Sequence, residues 1–269
     1  MRPMSAKLRI ATFLAPNMLP VYEFVVDAIG RELGSGAELV VGDSFDQFAN
    51  GEIDAGFICG LPYVQLVRQT SAPVELLAAP VIRGDRYAGR PIYFSDVIVR
   101  RNSPVRTFAD LRGRSWAYND PDSHSGYNLT RHHLLTMGET RGYFGRVVEA
   151  GFHQKAMRMV AAGEVDAAAI DSQVLAIELR DHPHLAEDLR VIGALGPSTI
   201  QPVVAARHLP ADLKAALRNA LLRMGDDSAA RKVLARGFVD HFVPVTDTDY
   251  EDIRRMLRAA EHARFLTLA

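Results

Sequence analysis

The run NDPDSHSGYN, residues 119 to 128, gathers the side chains best suited to chemistry in this chain. Ser123 and Ser125 carry hydroxyls that donate hydrogen bonds. Gly126 lacks a side chain that would block the backbone, and His124 donates in the right tautomer or when protonated. Trp116, Ala117 and Tyr118 read as the end of a strand, which the Asp120-Pro121 pair breaks. Tyr127, Thr130, Leu134 and Met137 then fall in helical register, so Ser123 or Ser125 stands at a helix start. Unpaired N–H groups and the positive end of the helix dipole make such a start an anion site when small residues let a ligand approach. Ordinary N-capping by serine accounts for the same residues. The local sequence leaves both readings open.

Other signatures are sparse. There is no G-x-G-x-x-G after a strand, no Walker-type glycine loop, no G-x-S-x-G and no H-E-x-x-H. Of nine histidines, His132 and His133 are adjacent and His182 and His184 flank Pro183. Adjacent helical positions point about 100° apart, so the first pair makes no i, i+4 metal face. The single cysteine, Cys59, excludes an intramolecular disulfide and a multi-thiolate site, and its place at the end of an apolar strand reads as packing. No metal and no cofactor is expected. Tyr63, which begins a helix after a strand, Tyr93 and Asp171, at the end of DAAAI, fall at the carboxyl edges of strands, where ligands of parallel sheets collect. A tyrosine in such a place is as often amphipathic packing.

Short apolar runs alternating with helical periodicity position these residues, the pattern of α/β architecture with mostly parallel strands. Strands are expected at 8–14, 37–41, 54–58, 92–100, 115–118, 146–149, 166–170, 189–195 and 202–207. Val21, Phe24, Val25, Ala28 and Ile29 follow i, i+3, i+4, i+7, i+8 and stop at Gly34, where a C-cap glycine belongs. Leu213, Leu217, Ala220, Leu221 and Met224 repeat the pattern, as do Tyr250, Ile253, Leu257 and Ala260. Polar, Pro- and Gly-bearing stretches at 100–115 and 196–202 read as two crossovers between lobes. The expected division is residues 1–100 with 198–269 in one lobe and 101–197 inserted as the other.

The chain has 269 residues, 48% of them hydrophobic and 23% charged, with a net charge of −1, so it fits one large or two mid-sized soluble domains. Evenly spread Arg at near-neutral charge gives no footprint for nucleic acid, which is excluded as a primary partner. No run approaches the roughly 20 apolar residues of a membrane span, so no membrane insertion is expected. In MRPMSAKLRIATFLAPN the apolar stretch is about seven residues, is interrupted by Arg9 and lacks a small-residue cleavage site, so it reads as a first strand and not an export signal.

Together, FSDVIVRRNSPVRTFADLRGRSWAYNDPDSHSGYNLTRHHLLTMG, GEIDAGFICGLPYVQL and AAGEVDAAAIDSQVL resemble, in order, segments of the phosphonate-binding proteins of ABC importers, a group that includes phosphite and phosphate binders. The likeness extends from about residue 8 to residue 224. It implies a two-lobed periplasmic-binding-protein fold (type II) with two crossovers as hinge, each lobe a mostly parallel sheet flanked by helices. It implies a non-enzymatic receptor whose Ser123, His124, Ser125 and Gly126 hold the oxygens of a small anionic ligand, a phosphonate, phosphite or phosphate. Tyr63 and Tyr93 then line the cleft from the other side, Asp171 matches a partner for a ligand amine, and Tyr127 and His153 complete the set. An ABC permease is the implied partner and the periplasm the implied location, with the cytoplasm the alternative if Met1 is the true start. Where the family has an acid in a G-S-H-E-A-A segment this chain has Gln154, so an aminoalkylphosphonate loses one charge partner. Two other functions are compatible with such a fold. One is an enzyme like those of thiamine-pyrimidine synthesis, with Cys59, His124 and His153 its only candidates. The other is a ligand-sensing regulatory protein.

Overall fold

The computed structural model describes residues 7–268; the start of the segment read as lacking an export signal, residues 1–6, lies outside them. Eleven strands are formed among the described residues: β1 (Leu8–Thr12), β2 (Ala37–Val41), β3 (Ala55–Phe57), β4 (Val74–Ile82), β5 (Ile92–Arg100), β6 (Ser115–Tyr118), β7 (Arg146–Glu149), β8 (Ala167–Asp171), β9 (Leu189–Thr199), β10 (Val203–Ala206) and β11 (Val239–Val243). The α-helices are α1 (Leu19–Leu33), α2 (Asp46–Ala49), α3 (Gly60–Leu66), α4 (Leu129–Thr136), α5 (His153–Ala162), α6 (Ser172–Asp181), α7 (Pro183–Asp188), α8 (Ala211–Arg223), α9 (Ser228–Leu234) and α10 (Glu251–His262). None is long and apolar enough to cross a membrane.

The chain forms two compact units. One runs up to Ile92 and resumes over Thr199–Tyr250; the other comprises Tyr93–Ser198 and the chain from Glu251 onward. The first unit holds a six-stranded sheet of order β11-β4-β10-β3-β1-β2, the second a five-stranded sheet of order β7-β6-β8-β5-β9. Both sheets are mixed, which corrects the expectation of mostly parallel strands. β1 pairs in parallel with β2 and β3, and β6 with β7 and β8, whereas β10 and β11 run antiparallel to their neighbours and β5 runs antiparallel to β8.

In the first unit, α1 turns Val21, Val25, Val26 and Ile29 inward and ends on Gly34 at φ 63°, a left-handed position that suits glycine. β4 and β11 were not anticipated. β4 carries Pro80, a residue that argues against a strand, and β11 sets Asp240 and His241 side by side between the buried Val239 and Phe242, which breaks the alternation expected of a strand.

In the second unit, β8 is buried along its whole length, as expected of a strand covered on both faces. Its core joins Val97, Val99, Leu111, Trp116, Leu134, Tyr143 and Phe144 to Met256, Phe265 and Leu268 from the far end of the chain. The unit boundaries therefore differ from the expected 101–197. β5 belongs to the second unit because Ser95 to Val99 ladder onto β8. The last helix belongs there too, because its apolar face packs on α4. The chain passes between units three times, not twice.

Candidate functional site

β6 delivers Asn119 and then a tight turn in which Ser123 N–H donates to the Asp120 carbonyl at 3.0 Å and Asp122 N–H to Asp120 Oδ1 at 2.7 Å. β6 has ended at Tyr118, and Pro121, which has no N–H, falls within the turn that follows. Ser123, at φ −73° and ψ 127°, then caps a helical turn, its Oγ accepting from Gly126 N–H at 3.1 Å. The turn, His124–Asn128, is a π-turn that runs directly into α4, with Asn128 N–H donating to the Ser123 carbonyl at 3.1 Å. Single π-turns recur at functional sites because they re-aim side chains. Gly126 is required here by packing: a Cβ would stand 2.0 Å from Asn119 Oδ1 and 3.3 Å from His153 Cε1.

The two serines and His153 form one buried group. Ser123 Oγ lies 3.4 Å from Ser125 Oγ, which lies 3.1 Å from Nε2 of His153 at the start of α5. Burial drives the His153 pKa from 6.5 down to about 3, so the ring is neutral at physiological pH. With its proton on Nε2, His153 donates to Ser125 Oγ, as Gly126 N–H donates to Ser123 Oγ. Each hydroxyl then accepts from behind, and of their two protons one serves the contact between the oxygens and the other is left to point elsewhere. Two such donors side by side suit an oxyanion, and in a buried setting each bond is stronger than in water.

His124 is used differently from the expectation. Its ring is fully buried, Nε2 lies 2.7 Å from Ser198 Oγ and Nδ1 lies 3.1 Å from Asn128 Nδ2. Ser198 in turn donates to Asp252, and Asn128 Oδ1 accepts from Arg131 at 2.9 Å. The protons run one way, Arg131 to Asn128 to His124 to Ser198 to Asp252. This chain fixes the π-turn to α10. Burial pulls the His124 pKa down to about 4, against the opposing pull of Asp252 and with help from His132 and Arg131.

Three further candidates are also committed within the protein. The Tyr127 hydroxyl donates to the Leu266 carbonyl at 3.2 Å and accepts from Leu268 N–H at 3.3 Å, with its ring under the Arg131 guanidinium. Asp171 Oδ1 accepts from Gln173 N–H at 2.8 Å and Val174 N–H at 3.2 Å, capping α6. Tyr63, in the first unit, donates to Asp247 at 2.8 Å and packs on Tyr250. Tyr93 is completely buried at the start of β5 and belongs to the second unit, its ring 6.2 Å from that of His124.

The structure thus brings Ser123, Ser125, Gly126 and His153 together. It adds Asn119, Asn128, Ser198 and Asp252, which the sequence did not single out. Gln154, noted only as a departure from the family pattern, is 6% exposed, and neither end of its amide has a hydrogen-bond partner among the described residues.

A family model described as the periplasmic substrate-binding protein of phosphonate ABC transporters matches residues 10–250. A binding-protein component of an ABC phosphonate transporter from Pseudomonas aeruginosa superposes with a TM-score of 0.84 at 18% identity, over 98% of this chain and 89% of that one. PhnD1 from Prochlorococcus marinus, solved with methylphosphonate, gives 0.79 at 16% identity, over 94% and 98%. A Xanthomonas citri protein bound to ATP gives 0.72 at 19%, over 97% and 98%. At these identities the likeness establishes the fold, the two-lobed periplasmic-binding class expected from the sequence.

Proposed function

Because this chain belongs to the periplasmic substrate-binding proteins of phosphonate ABC transporters, we propose that it captures a small alkylphosphonate or related phosphorus oxyanion on the Ser123 and Ser125 hydroxyls and passes it to a membrane permease. The observation that carries this reading is the donor arrangement, in which Gly126 N–H and His153 stand behind the two hydroxyls. A ligand without an ammonium group is favoured. Gln154 is neutral and Asp171 Oδ1 already caps α6, so a desolvated ammonium finds at most one carboxylate where two were expected. The methylphosphonate bound by PhnD1 has this character.

The Ser125–His153 pair superficially resembles a nucleophile with its base. A ring whose pKa is about 3 is too weak a base to activate a serine, which speaks for binding and against catalysis.

Isothermal titration with methylphosphonate, phosphite, phosphate, aminoethylphosphonate and ATP tests the proposal. Methylphosphonate is expected to bind and aminoethylphosphonate to bind less tightly. Each hydroxyl to a charged oxygen contributes about 1.5 to 3 kcal/mol, so Ser123→Ala with Ser125→Ala is expected to weaken binding by about two to four orders of magnitude. Unchanged affinity in the double variant sinks the assignment.

A further inference from the structure

Arg131 is the only arginine or lysine buried among the described residues, at 5% exposure. A cation taken out of water needs a counter-charge to offset its desolvation. None of its hydrogen-bond partners is a carboxylate. Nη1 donates to the Leu266 carbonyl at 2.8 Å, Nη2 donates to Asn128 Oδ1 at 2.9 Å, and Nε has no partner among the described residues. Burial pulls the guanidinium pKa down, against the weaker opposing pull of Tyr127 and of Glu261 on α10. Asp252 stands at the far end of the proton chain, beyond Asn128, His124 and Ser198. The cation is short of a counter-charge.

The anion site lies within reach of its field. Helical side chains lean toward the helix start, and Arg131 does so, over the Tyr127 ring and onto Asn128, both in the π-turn that carries Ser125. Six residues at about 1.5 Å each, shortened by that lean, put the guanidinium within about 10 Å of the Ser125 hydroxyl. The intervening turn is buried throughout, so water screens the charge little. The charge is already felt there, because Arg131 is among the groups that lower the pKa of His124, the residue between the two serines. A field that disfavours a cation at His124 favours an anion beside it.

The other charges around the turn do not supply this attraction. The entering loop carries Asp120 and Asp122, and β8, packed on the turn, ends in Asp171. His132 of α4 and His153 of α5 are held low by burial. Lys155 and Arg158 of α5 and Arg255 of α10 are exposed, where solvent and salt screen them.

Given the oxyanion reading above, we infer that Arg131 is the charge complement of the anion held on Ser123 and Ser125, a specificity-determining residue that acts through space and favours the more highly charged of two otherwise equal oxyanions. At about 10 Å and an effective dielectric constant of about 20, each unit of ligand charge gains about tenfold in affinity from it.

Titration calorimetry with methylphosphonate at about pH 6 and about pH 9, on either side of the ligand's second ionisation, tests this on the wild type, Arg131→Gln and Arg131→Lys. Trp116 fluorescence in urea reports the stability each variant loses. Arg131→Gln keeps a donor without the charge and is expected to weaken binding about tenfold at the lower pH and about a hundredfold at the higher. Arg131→Lys keeps the charge and is expected to lose less than about threefold at the lower pH, whatever stability it loses. The lysine variant also carries the reverse measurement, which stands if Arg131→Gln does not fold. By linkage, bound methylphosphonate raises the pKa of the introduced ammonium by about one unit, read by NMR titration with and without the ligand. An Arg131→Gln loss equal at both pH values, an Arg131→Lys loss as large as that of Arg131→Gln at the lower pH, or an ammonium pKa that the ligand leaves unmoved overturns this role for Arg131 alone. Failure of methylphosphonate to bind the wild type at either pH overturns the oxyanion reading with it.

Discussion

Ser198→Ala severs the proton chain between His124 and Asp252, and its cost follows from what each neighbour loses. Asp252 is half-buried, so water replaces part of the lost bond and the loss there is near the low end for a charged acceptor, about 1.5 kcal/mol. His124 is fully buried, and its Nε2–H, 2.7 Å from Ser198 Oγ, loses that partner where water does not replace it, at about 1 to 3 kcal/mol. The sum is about 3 kcal/mol, a large share of the stability of an ordinary domain. The assay is built into the sequence. The one tryptophan, Trp116, is buried in the second unit with its ring 4.7 Å from that of Phe144, so its fluorescence in urea reports the unit that contains the chain. A double-mutant cycle with His124→Leu separates the terms, because with the ring gone Ser198→Ala strands no histidine donor and is expected to cost about half as much. A Ser198→Ala loss below about 0.5 kcal/mol, or strict additivity in the cycle, refutes the chain as a structural element.

Three other outcomes are expected. His124 and His153 have pKa values lowered from 6.5 to about 4 and about 3, so their stabilising neutrality is fully present above pH 6.5 and is lost as pH falls toward those folded-state values. Urea melts should show stability falling by about 1.4 kcal/mol per pH unit for each ring, with the slope reduced in His153→Gln; a slope that His153→Gln leaves unchanged contradicts the assignment. Gly126→Ala drives a methyl into Asn119 and is expected to cost about 1 to 3 kcal/mol and weaken methylphosphonate binding, whereas wild-type stability and affinity would show that the turn yields freely. Asp171→Ala is expected to cost about 1 kcal/mol through the α6 cap and to affect methylphosphonate and aminoethylphosphonate alike; a loss confined to the amine ligand would return Asp171 to the binding site.

Much of the fold was legible because it rests on short-range periodicity. The α1 stripe and its Gly34 stop, the apolar run that opens β8 and the amphipathic last helix all state their burial in adjacent residues. Periodicity says which face is buried but not against what. The last helix therefore read as completing the first lobe, when Phe265 and Leu268 in fact sit in the core with Trp116, and β5 read as part of the first lobe when its ladder partner is β8. β4 fell silent for a local reason: Pro80 argues against a strand, yet it lies opposite Phe242 of β11 at a point where the ladder to β10 has already ended, at Ala78.

At the site, backbone positions were readable and side-chain directions were not. Ser123 as a cap, Gly126 as a necessary glycine and the helix that follows depend on residues within a few places along the chain. The aim of a side chain depends on whatever arrives from elsewhere. His124 shares its local environment with Ser125, yet its ring is taken by Ser198 and, through it, by Asp252 of α10. His153, far along the chain and without a motif of its own, is the ring that reaches Ser125. A helix start rich in donors thus announces that an anion site is affordable there. Which of those side chains stay available is decided by long-range hydrogen bonds that engage the rest, and here such bonds engage His124 through Ser198 and Tyr127 through Leu266 and Leu268.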